Sequence, residues 1–250
     1  MRILVISDIH GNASALPAVI GAEQHVDHTI FLGDTLLSGP QANETAALLQ
    51  SMNIDISIPG NHDDPLFDYS KFAHYPIEWI ALNQWIIDHL DSGARELLQG
   101  FKNAGCHSIA DTKMFLHHGE MGKHIPAAIP GAPDESFAAL DGDSDCPLIL
   151  FGHTHVQFSQ KIGNKTSINP GSVGQPRCGK LYACYGVFED GLYYPRQVTY
   201  DPAPWLKALE KIAALDSFSV FRQWLKDGLL SGYGIGEREP WTYLTAQGFN

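Results

Sequence analysis

Residues with metal-binding or acid–base side chains recur directly after short apolar runs of this chain. Five such runs are each followed by a carboxylate, an imidazole or an amide close to a glycine. The run at residues 3–6 leads into Asp8 and His10, and the run at residues 29–32 leads into Asp34. The full set is Asp8, His10, Asp34, Asn61, His118, His153 and His155. This mixture is too rich in nitrogen for a calcium site and too rich in oxygen for a structural zinc site.

Seven candidate ligands are more than one metal ion needs. Two ions about 3.5–4 Å apart, bridged by one carboxylate, would use all of them. Asp34 suits the bridge, because an ionised carboxylate offers two oxygens and its charge offsets the repulsion between two cations. The sequence therefore predicts a dinuclear metal centre.

The elements that must position these residues are strands and helices in alternation. Residues 3–6, 29–32 and 54–59 are predicted strands, with helices at about residues 14–23 and 43–52 between them. Three such units with polar residues at the same end imply a parallel sheet with right-handed crossovers. Ligands of open α/β sheets bind beyond the carboxyl ends of the strands, which is where these side chains lie.

The second half of the chain has a different pattern. Residues 64–105 predict a helical insertion without a strand, whose aromatic side chains, Trp79 and Trp85 among them, are expected to pack. Further strands are expected at residues 113–116 and 147–151. Antiparallel hairpins within residues 156–198 are expected to form a second sheet.

Loops and helices complete this interpretation. Residues 120–133 are a candidate lid or rim, and residues 169–177 hold too many glycines and prolines to be core. Amphipathic helices are expected at residues 207–216 and 219–230, inside a C-terminal helical segment at 203–250. We expect one domain over the whole chain, residues 1–250.

Composition limits the partners of the chain. Acidic residues outnumber basic ones by 28 to 16, and the resulting net charge of −12 argues against broad nucleic-acid contacts and a nuclease. The four cysteines form no C-x-x-C pair and are expected to be buried, reduced thiols. No basic leader precedes the first strand, and no apolar run reaches the ~18 residues that span a bilayer. We therefore expect a cytoplasmic protein without a membrane partner; the sequence is silent on its oligomeric state.

The candidate ligands stand in five short blocks whose order resembles that of the calcineurin-like metallophosphoesterases. The blocks are Asp8-Ile-His10, Gly33-Asp34, Gly60-Asn-His-Asp63, His118-Gly119 and Gly152-His-Thr-His155. One block alone would be weak evidence, but five in order, each after an apolar run, are specific. The resemblance covers residues 1–155 and implies an α/β fold, the four-layered α/β/β/α sandwich, here with a helical insertion.

The resemblance also implies which residues hold each ion. One ion would be bound by Asp8, His10, Asp34 and His155, and the other by Asp34, Asn61, His118 and His153. The usual ions of the family are manganese, iron, zinc or nickel, and the sequence does not choose among them. Adjacency to Gly119 favours His118 over His117, and only one of the two should point inward because alternate strand residues face opposite ways.

The reaction expected from this resemblance is hydrolysis of a small phosphate ester. A water between two dications loses a proton near neutral pH and becomes a bridging hydroxide nucleophile, while the cations neutralise the phosphoryl oxygens. The resemblance makes His62 the general acid for the leaving group, steadied by Asp63 or another carboxylate. Asn12 is expected either to touch the phosphate or to form the turn. Arg177 is expected either to bind phosphate or to lie on the surface.

Within this family, the sequence favours a phosphodiesterase acting on a small diester, with a phosphomonoester as the other substrate class. Related Ser/Thr protein phosphatases and dinucleoside-polyphosphate hydrolases carry an Asp-Arg pair where this chain has Leu37 and Ser38. The block at residues 60–63 also lacks their terminal Glu. An alternative of another kind is a metal-binding scaffold without catalysis, against which the intact ligand set and His62 argue.

Overall fold

The computed structural model describes residues 1–110, 112–122 and 124–249. Two five-stranded sheets pack face to face, and helices cover the outer face of each sheet. The layers therefore run helix, sheet, sheet, helix, which confirms the predicted α/β/β/α sandwich.

The strands and helices have the following bounds. The strands are β1 (Arg2–Ile6), β2 (His28–Phe31), β3 (Ile56–Ser57), β4 (Gly105–Ile109), β5 (Thr112–His117), β6 (Leu148–Phe151), β7 (Gln157–Ile162), β8 (Lys165–Pro170), β9 (Tyr182–Glu189) and β10 (Leu192–Thr199). The α-helices are α1 (Leu16–Ala22), α2 (Ala42–Ser51), α3 (Asp64–Phe67), α4 (Ile77–Asp88), α5 (Ser92–Gln99), α6 (Asp134–Asp141), α7 (Ala203–Leu209), α8 (Ser219–Ser231) and α9 (Trp241–Ala246). Short 3-10 helices lie at Tyr69–Phe72 and Ala213–Leu215.

The first sheet has the strand order β10-β9-β1-β2-β3. Strands β1, β2 and β3 are parallel, as predicted, although β3 is only two residues long. On the other side of β1, β9 runs antiparallel and places Phe188 opposite Ile3. The expectation that all hairpins after residue 156 join the second sheet is therefore wrong, because the hairpin β9–β10 extends the first one.

The second sheet has the order β4-β5-β6-β8-β7. Its three central strands are parallel, and β4 and β7 pair antiparallel at its two edges. The expectation that residues 64–105 hold no strand fails only at the last of them, because Gly105 begins β4. Polar His107 and Ser108 lie in β4, so that strand had no apolar run to mark it.

The core follows from the period of two along each strand. Ile3 and Val5 of β1 face the second sheet, whereas Leu4 and Ile6 face the helical layer of α1 and α2. Each fully buried aliphatic side chain of this kind contributes roughly 1.5–3 kcal/mol through removal of its surface from water. A strand covered on both faces must be apolar throughout, which is why residues 3–6 were recognisable.

The helical insertion and the C-terminal helices share one hydrophobic cluster. Leu82 and Ile86 of α4 pack there with Trp205 of α7 and with Leu225 and Leu229 of α8. The C-terminal helices therefore pack against this same chain. Among the described residues, none of the helices is long and apolar enough to cross a bilayer.

Two further expectations are corrected by burial. Residues 169–176, at the end of β8 and in the loop after it, are all buried, so the glycines and prolines there do not place this segment outside the core. Three of the four cysteines are buried, but Cys106 is exposed, with its Sγ 2.8 Å from that of Cys146.

Candidate metal centre

The loops that leave β1 and β2 are tied together by their backbones. The amide of Asp8 donates to the carbonyl of Gly33 at 2.9 Å, and the amide of His10 donates to the carbonyl of Asp34 at 3.0 Å. The two loops therefore continue the pairing of their strands past the edge of the sheet. This places three acidic and imidazole side chains at the same edge.

Five of the expected ligands adopt left-handed backbone conformations. The φ angles are 54° at Asp8, 50° at His10, 59° at Asp34, 67° at His153 and 60° at His155. Positive φ is uncommon outside glycine, although Asp and His tolerate it better than most residues. Such conformations cost of order 1–3 kcal/mol each and cluster at functional sites. The backbone is therefore bent at each ligand so that the side chain turns into a common space.

Two motif glycines are required by close contact with the ligands. A Cβ on Gly60 would lie 2.7 Å from Cε1 of His118 and closer still to the Asp34 carboxylate. A Cβ on Gly152 would lie 2.7 Å from Oδ2 of Asp8. Real Cβ atoms do not approach other atoms this closely, so any side chain here would displace a ligand.

Four buried side chains form the first ligand cluster. One donor atom from each of Asp8, His10, Asp34 and His155 lies within 4.8 Å of all the others. Nε2 of His155 is 3.3 Å from Oδ1 of Asp8, and Nε2 of His10 is 3.6 Å from Oδ2 of Asp34. These are the four residues that the sequence assigned to one ion.

The second expected ligand set adjoins the first through Asp34. Nε2 of His118 lies 3.1 Å from Oδ2 of Asp34, and Nδ1 of His153 lies 2.8 Å from Oδ1 of Asn61. The rings of His118 and His153 meet edge to face, with centroids 5.4 Å apart. The structure thus brings all seven expected ligands to one place, with the Asp34 carboxylate between the two sets.

Three of the histidines are oriented by backbone carbonyl groups. The Nδ1 atoms of His10, His118 and His155 lie 2.6, 2.7 and 2.7 Å from the carbonyl oxygens of Leu37, Leu32 and Gln175, respectively. Because the carbonyl only accepts, each Nδ1 carries a proton, and each Nε2 is the atom that is left to bind a metal ion. This second contact is how metal-binding histidines are usually held.

The donor atoms fit cations. Nε2 of His10 and Nε2 of His155 are 3.2 Å apart, and two lone pairs at this distance repel unless a positive charge lies between them. Nε2 of His118 is buried and, among the described residues, has no partner with the geometry of a hydrogen bond, although Oδ2 of Asp34 lies near it. A buried donor set of carboxylates and imidazoles without other partners requires a metal ion or a proton.

The mutual electrostatics of the cluster shift its pKa values. Burial alone would raise the pKa of Asp8, but the charge and hydrogen bond of His155 outweigh burial and lower that pKa to about 2. Burial would also raise the pKa of Asp34. The charges of His118 and His62 outweigh burial, so the pKa of Asp34 lies well below its usual value. Against the opposing effect of burial, Asp34 and Asp8 raise the pKa of His118 to about 10. In the absence of metal, a proton therefore occupies His118.

Burial outweighs the nearby carboxylates at two other ligands. It lowers the pKa of His10 to about 3 and the pKa of His153 to about 3. Both imidazoles are therefore neutral at physiological pH, which is the form that binds metal.

His117 and His118 point in opposite directions. His118 is buried at the cluster, whereas Nδ1 of His117 accepts a hydrogen bond from the amide of Gly119 at 2.9 Å. This alternation agrees with the expectation that one of the two side chains points inward.

His62 lies beside the cluster without belonging to it. Its ring packs edge to face on that of His10, with centroids 5.1 Å apart, and its amide donates to Oδ1 of Asp34 at 2.8 Å. Nδ1 of His62 is buried and has no hydrogen-bond partner among the described residues. Burial lowers the pKa of this histidine. The ring also lines the adjoining cavity.

Asp63 has a different environment from the one expected. Its carboxylate accepts hydrogen bonds from the amides of Asp34, Thr35 and Gly60 at 2.8–2.9 Å, and none from the His62 ring. Burial and the nearby Asp34 raise the pKa of Asp63 to about 6. Asp63 therefore braces two ligand loops; it does not steady His62 by a hydrogen bond within the described part of the chain.

Asn12 forms a turn, which is one of the two roles expected for it. Its side chain is fully buried: the amide nitrogen donates to the carbonyl of Gly174 at 2.9 Å and to the hydroxyl of Tyr200 at 3.1 Å, and its oxygen accepts from the amide of Ala15 at 3.1 Å. Substrate contact by Asn12 is therefore not supported, because both polar atoms are already used.

Arg177 lies at the cavity next to the ligands, not on the open surface. One guanidinium nitrogen donates to the carbonyl of Thr154 at 3.0 Å, and the guanidinium lies 4.0 Å from the ring centroid of Trp241. Its Nε is buried without a hydrogen-bond partner in the described residues. Burial lowers the pKa of Arg177 only to about 10, so the side chain remains charged.

The buried loop after β8 positions the ligands, a role that motif reasoning missed. The hydroxyl of Ser172 donates to the carbonyl of Asp8 at 2.7 Å, and Nδ2 of Asn169, at the end of β8, donates to the carbonyl of Gly152 at 2.7 Å. The loop thus joins the first and last motif blocks. Small polar residues between glycines were the available signal, because such residues satisfy backbone groups in buried turns.

Comparison with known proteins places this geometry in a family. Residues 1–189 match the calcineurin-like phosphoesterase superfamily domain. The chain belongs to this superfamily. The family is metal-dependent and acts on phosphate esters, in agreement with the ligand cluster described above.

Individual relatives match between three quarters and nine tenths of the chain. An uncharacterized protein of Methanocaldococcus jannaschii is 30% identical over 260 residues, covering 92% of this chain and 98% of the relative. The phosphodiesterase YfcE of Escherichia coli is 24% identical over 201 residues, covering 76% of this chain and 88% of YfcE.

Solved structures show the same fold. The metallophosphoesterase from Sphaerobacter thermophilus has a TM-score of 0.68 and 26% identity, covering 89% of this chain and 98% of its own. A hypothetical protein from Pyrococcus horikoshii OT3 has a TM-score of 0.76 and 17% identity, covering 94% and 99% of the two chains, which supports the fold alone.

The phosphoesterase has a cavity of about 430 Å³ beside the metal ligands. Its polar lining includes His10, Asp34, His62, His153 and His155 together with Arg177. Its apolar lining includes Tyr75, Trp79, Trp224, Ile235 and Trp241. Trp79, expected only to pack, therefore also lines this cavity.

Proposed function

We propose that this phosphoesterase hydrolyses a small phosphodiester with two divalent metal ions. The observation that carries the proposal is the meeting of a buried and a partly buried ligand set at Asp34, beside a cavity lined by Arg177 and His62. The similarity to YfcE, which is named a phosphodiesterase, supports a diester over a monoester.

Asp8, His10, Asp34 and His155 would hold one ion, and Asp34, Asn61, His118 and His153 would hold the other. When bound, the ions supply a water nucleophile at neutral pH and neutralise charge on the phosphoryl oxygens. The surrounding carbonyl groups keep each Nε2 ready for binding without rearrangement.

The residues around the ligands have separate roles. Arg177, already charged and partly desolvated, would bind a non-bridging phosphoryl oxygen through its guanidinium group. His62 would give a proton from its ring to the leaving oxygen, since it lines the cavity and is not used as a ligand. A general acid beside an intact ligand set favours an enzyme over a metal-binding scaffold.

The positions that carry Asp-Arg in protein phosphatases have other tasks here. The Leu37 side chain is buried in the helical cluster while its carbonyl orients His10. Ser38 lines the cavity but carries no charge. Neither residue can grip phosphate as an arginine does, which supports a phosphodiesterase over a Ser/Thr phosphatase.

Two finer expectations stay predictions. Manganese is one of several ions that a mixed carboxylate and imidazole set can bind. A cytoplasmic location is the other, and the four free cysteines agree with it.

The experiment that tests the proposal compares two chromogenic esters. Protein stripped of metal and reloaded with manganese is assayed on bis-p-nitrophenyl phosphate and on p-nitrophenyl phosphate, with Asp34→Asn as control. We expect faster cleavage of the diester, lost in the variant and in the metal-free protein. Faster cleavage of the monoester would instead make the enzyme a phosphatase, and no cleavage by protein with two bound ions would favour the scaffold.

A further inference from the structure

The apolar lining of the cavity is built by two segments that are far apart in the chain. Tyr75 and Trp79 come from the helical insertion, whereas Trp224 and Trp241 come from the C-terminal segment. The family match ends at residue 189, so both C-terminal tryptophans lie beyond it. This part of the cavity is therefore an addition to the family's metal site.

The aromatic rings are held in a fixed arrangement. Trp79 and Trp224 meet edge to face with centroids 6.0 Å apart, and Phe221 braces both at 5.2 and 5.7 Å. Trp224 nevertheless keeps 38% of its surface exposed. A large ring that packs on its neighbours, stays partly uncovered and lines the cavity beside the metal ligands offers a contact surface for a ligand.

Trp241 has a different position from the other two tryptophans. Its ring face lies under the guanidinium of Arg177 at 4.0 Å. This contact occupies a face of Trp241 and leaves Trp79 and Trp224 as the lining tryptophans without a stacked cation. We call Arg177 and the metal ligands the charged end of the cavity, and these two tryptophans its aromatic end.

We propose that the aromatic end is a subsite for a flat aromatic ring carried by the phosphate ester. This inference rests on the proposed function, because it assumes that the phosphate group lies at the charged end. The tryptophans would contact the ring face or edge, and among the described residues no carboxylate or ammonium group lines the cavity beside them other than the ligand Asp34. The subsite therefore recognises ring shape, and either a nucleobase or a simple aryl group would satisfy it.

The volume and the energetics agree with such a ligand. A cavity of about 430 Å³ lies within the usual range for small-molecule sites. Contact between an aromatic side chain and one base changes affinity by roughly tenfold when the side chain is removed.

The test uses ligands with a P–C bond, which a phosphoesterase cannot hydrolyse. Calorimetry on the manganese-loaded protein compares ethylphosphonate, phenylphosphonate and the methylenephosphonate analogue of adenosine monophosphate. We expect both ring-bearing ligands to bind about tenfold more tightly than ethylphosphonate. The ring-bearing ligand that binds more tightly identifies the source of the ring.

Variants locate the ring on the subsite. We expect Trp224→Leu and Trp79→Leu each to reduce the preference for phenylphosphonate over ethylphosphonate to less than about threefold. Trp85→Leu is the matched control, because Trp85 lies on the same helix as Trp79 but stacks on His89 and does not line the cavity. The control should keep the tenfold preference.

Two results would overturn the inference. One is equal affinity of the wild-type protein for ethylphosphonate and phenylphosphonate, and the other is a preference that survives both subsite substitutions. Because binding is measured without turnover, a protein that hydrolyses no ester but prefers ring-bearing phosphonates would refute the proposed function and keep the subsite. A protein that hydrolyses esters but shows no preference for ring-bearing phosphonates would keep the proposed function and refute the subsite.

Discussion

His118 and Asp34 join the two sheets at the centre of the site. Nε2 of His118, at the end of β5 in the second sheet, lies 3.1 Å from Oδ2 of Asp34, which follows β2 in the first sheet. The contact is buried, and Nδ1 of His118 is held by the carbonyl of Leu32. The candidate metal centre therefore links the two halves of the sandwich.

This contact predicts that metal binding releases a proton. The pKa of His118 in the metal-free protein is about 10, so the imidazole is charged at neutral pH and the ion must displace its proton. The affinity for metal should therefore rise with pH up to about 10. Calorimetric titration with Mn²⁺ in buffers of different ionisation enthalpy should show about one proton released per chain.

The raised pKa of His118 also predicts how the stability of the metal-free protein depends on pH. The folded-state pKa of His118 exceeds the ordinary value of 6.5, so its contribution is complete below pH 6.5 and is lost as the pH rises through about 10. His118→Asn should remove this dependence in urea unfolding of the metal-free protein. An unchanged alkaline loss of stability in the variant would assign it to another group.

The contacts of Gly60 predict a severe effect of a single methyl group. Gly60→Ala should reduce metal content strongly, because its Cβ would collide with the Asp34 carboxylate and the His118 ring. Gly21→Ala is the matched control: that helical glycine has open space around it and should gain about 0.5–1 kcal/mol of stability. Metal analysis and thermal unfolding measure both effects, and normal metal content in Gly60→Ala would contradict the packing described here.

The hydrogen bonds of Asp63 predict a loss of stability that does not depend on catalysis. Asp63→Asn turns an N–H group toward backbone amides that need an acceptor, which should cost about 2–3 kcal/mol. Asp64→Asn changes a half-exposed neighbour whose carboxylate pairs with Lys71, and it should cost less than about 1 kcal/mol. Urea unfolding of the metal-free proteins compares them, and equal stabilities would show that the three bonds are not important.

The position of His62 predicts a variant that binds metal but turns over slowly. His62→Ala should retain metal and lower kcat by about 10²–10⁴-fold for alkyl diesters, with a smaller loss for p-nitrophenyl esters. The reason is that a good leaving group departs without protonation. The control is His74→Ala, an exposed histidine of the insertion. Unchanged kcat on an alkyl diester would remove the general-acid role.

The local sequence pattern was sufficient to predict the structure where a single strand or helix determines it. The apolar runs before Asp8 and Asp34 are strands because both faces are covered, and the ligands follow at the strand ends. The candidate ligands could likewise be predicted, since their blocks are short and ordered. Helix α6 and strand β4 lacked a comparable apolar signal and were not predicted.

Long-range pairing was not predictable in the same way. The hairpin β9–β10 could join either sheet by its own pattern, and only the register of Phe188 opposite Ile3 decides between them. Asp63 similarly follows His62 in sequence, but its carboxylate turns toward three amides of other loops. The aromatic end of the cavity depends on Trp79 and Trp224 meeting across more than half of the chain, which no local motif records.

Anomalous diffraction from manganese-loaded crystals shows whether two ligand sets share Asp34. A dinuclear centre gives two peaks about 3.5–4 Å apart on either side of the Asp34 carboxylate. One should contact Asp8, His10 and His155, and the other should contact Asn61, His118 and His153. A single peak, or peaks away from these side chains, would contradict the dinuclear centre.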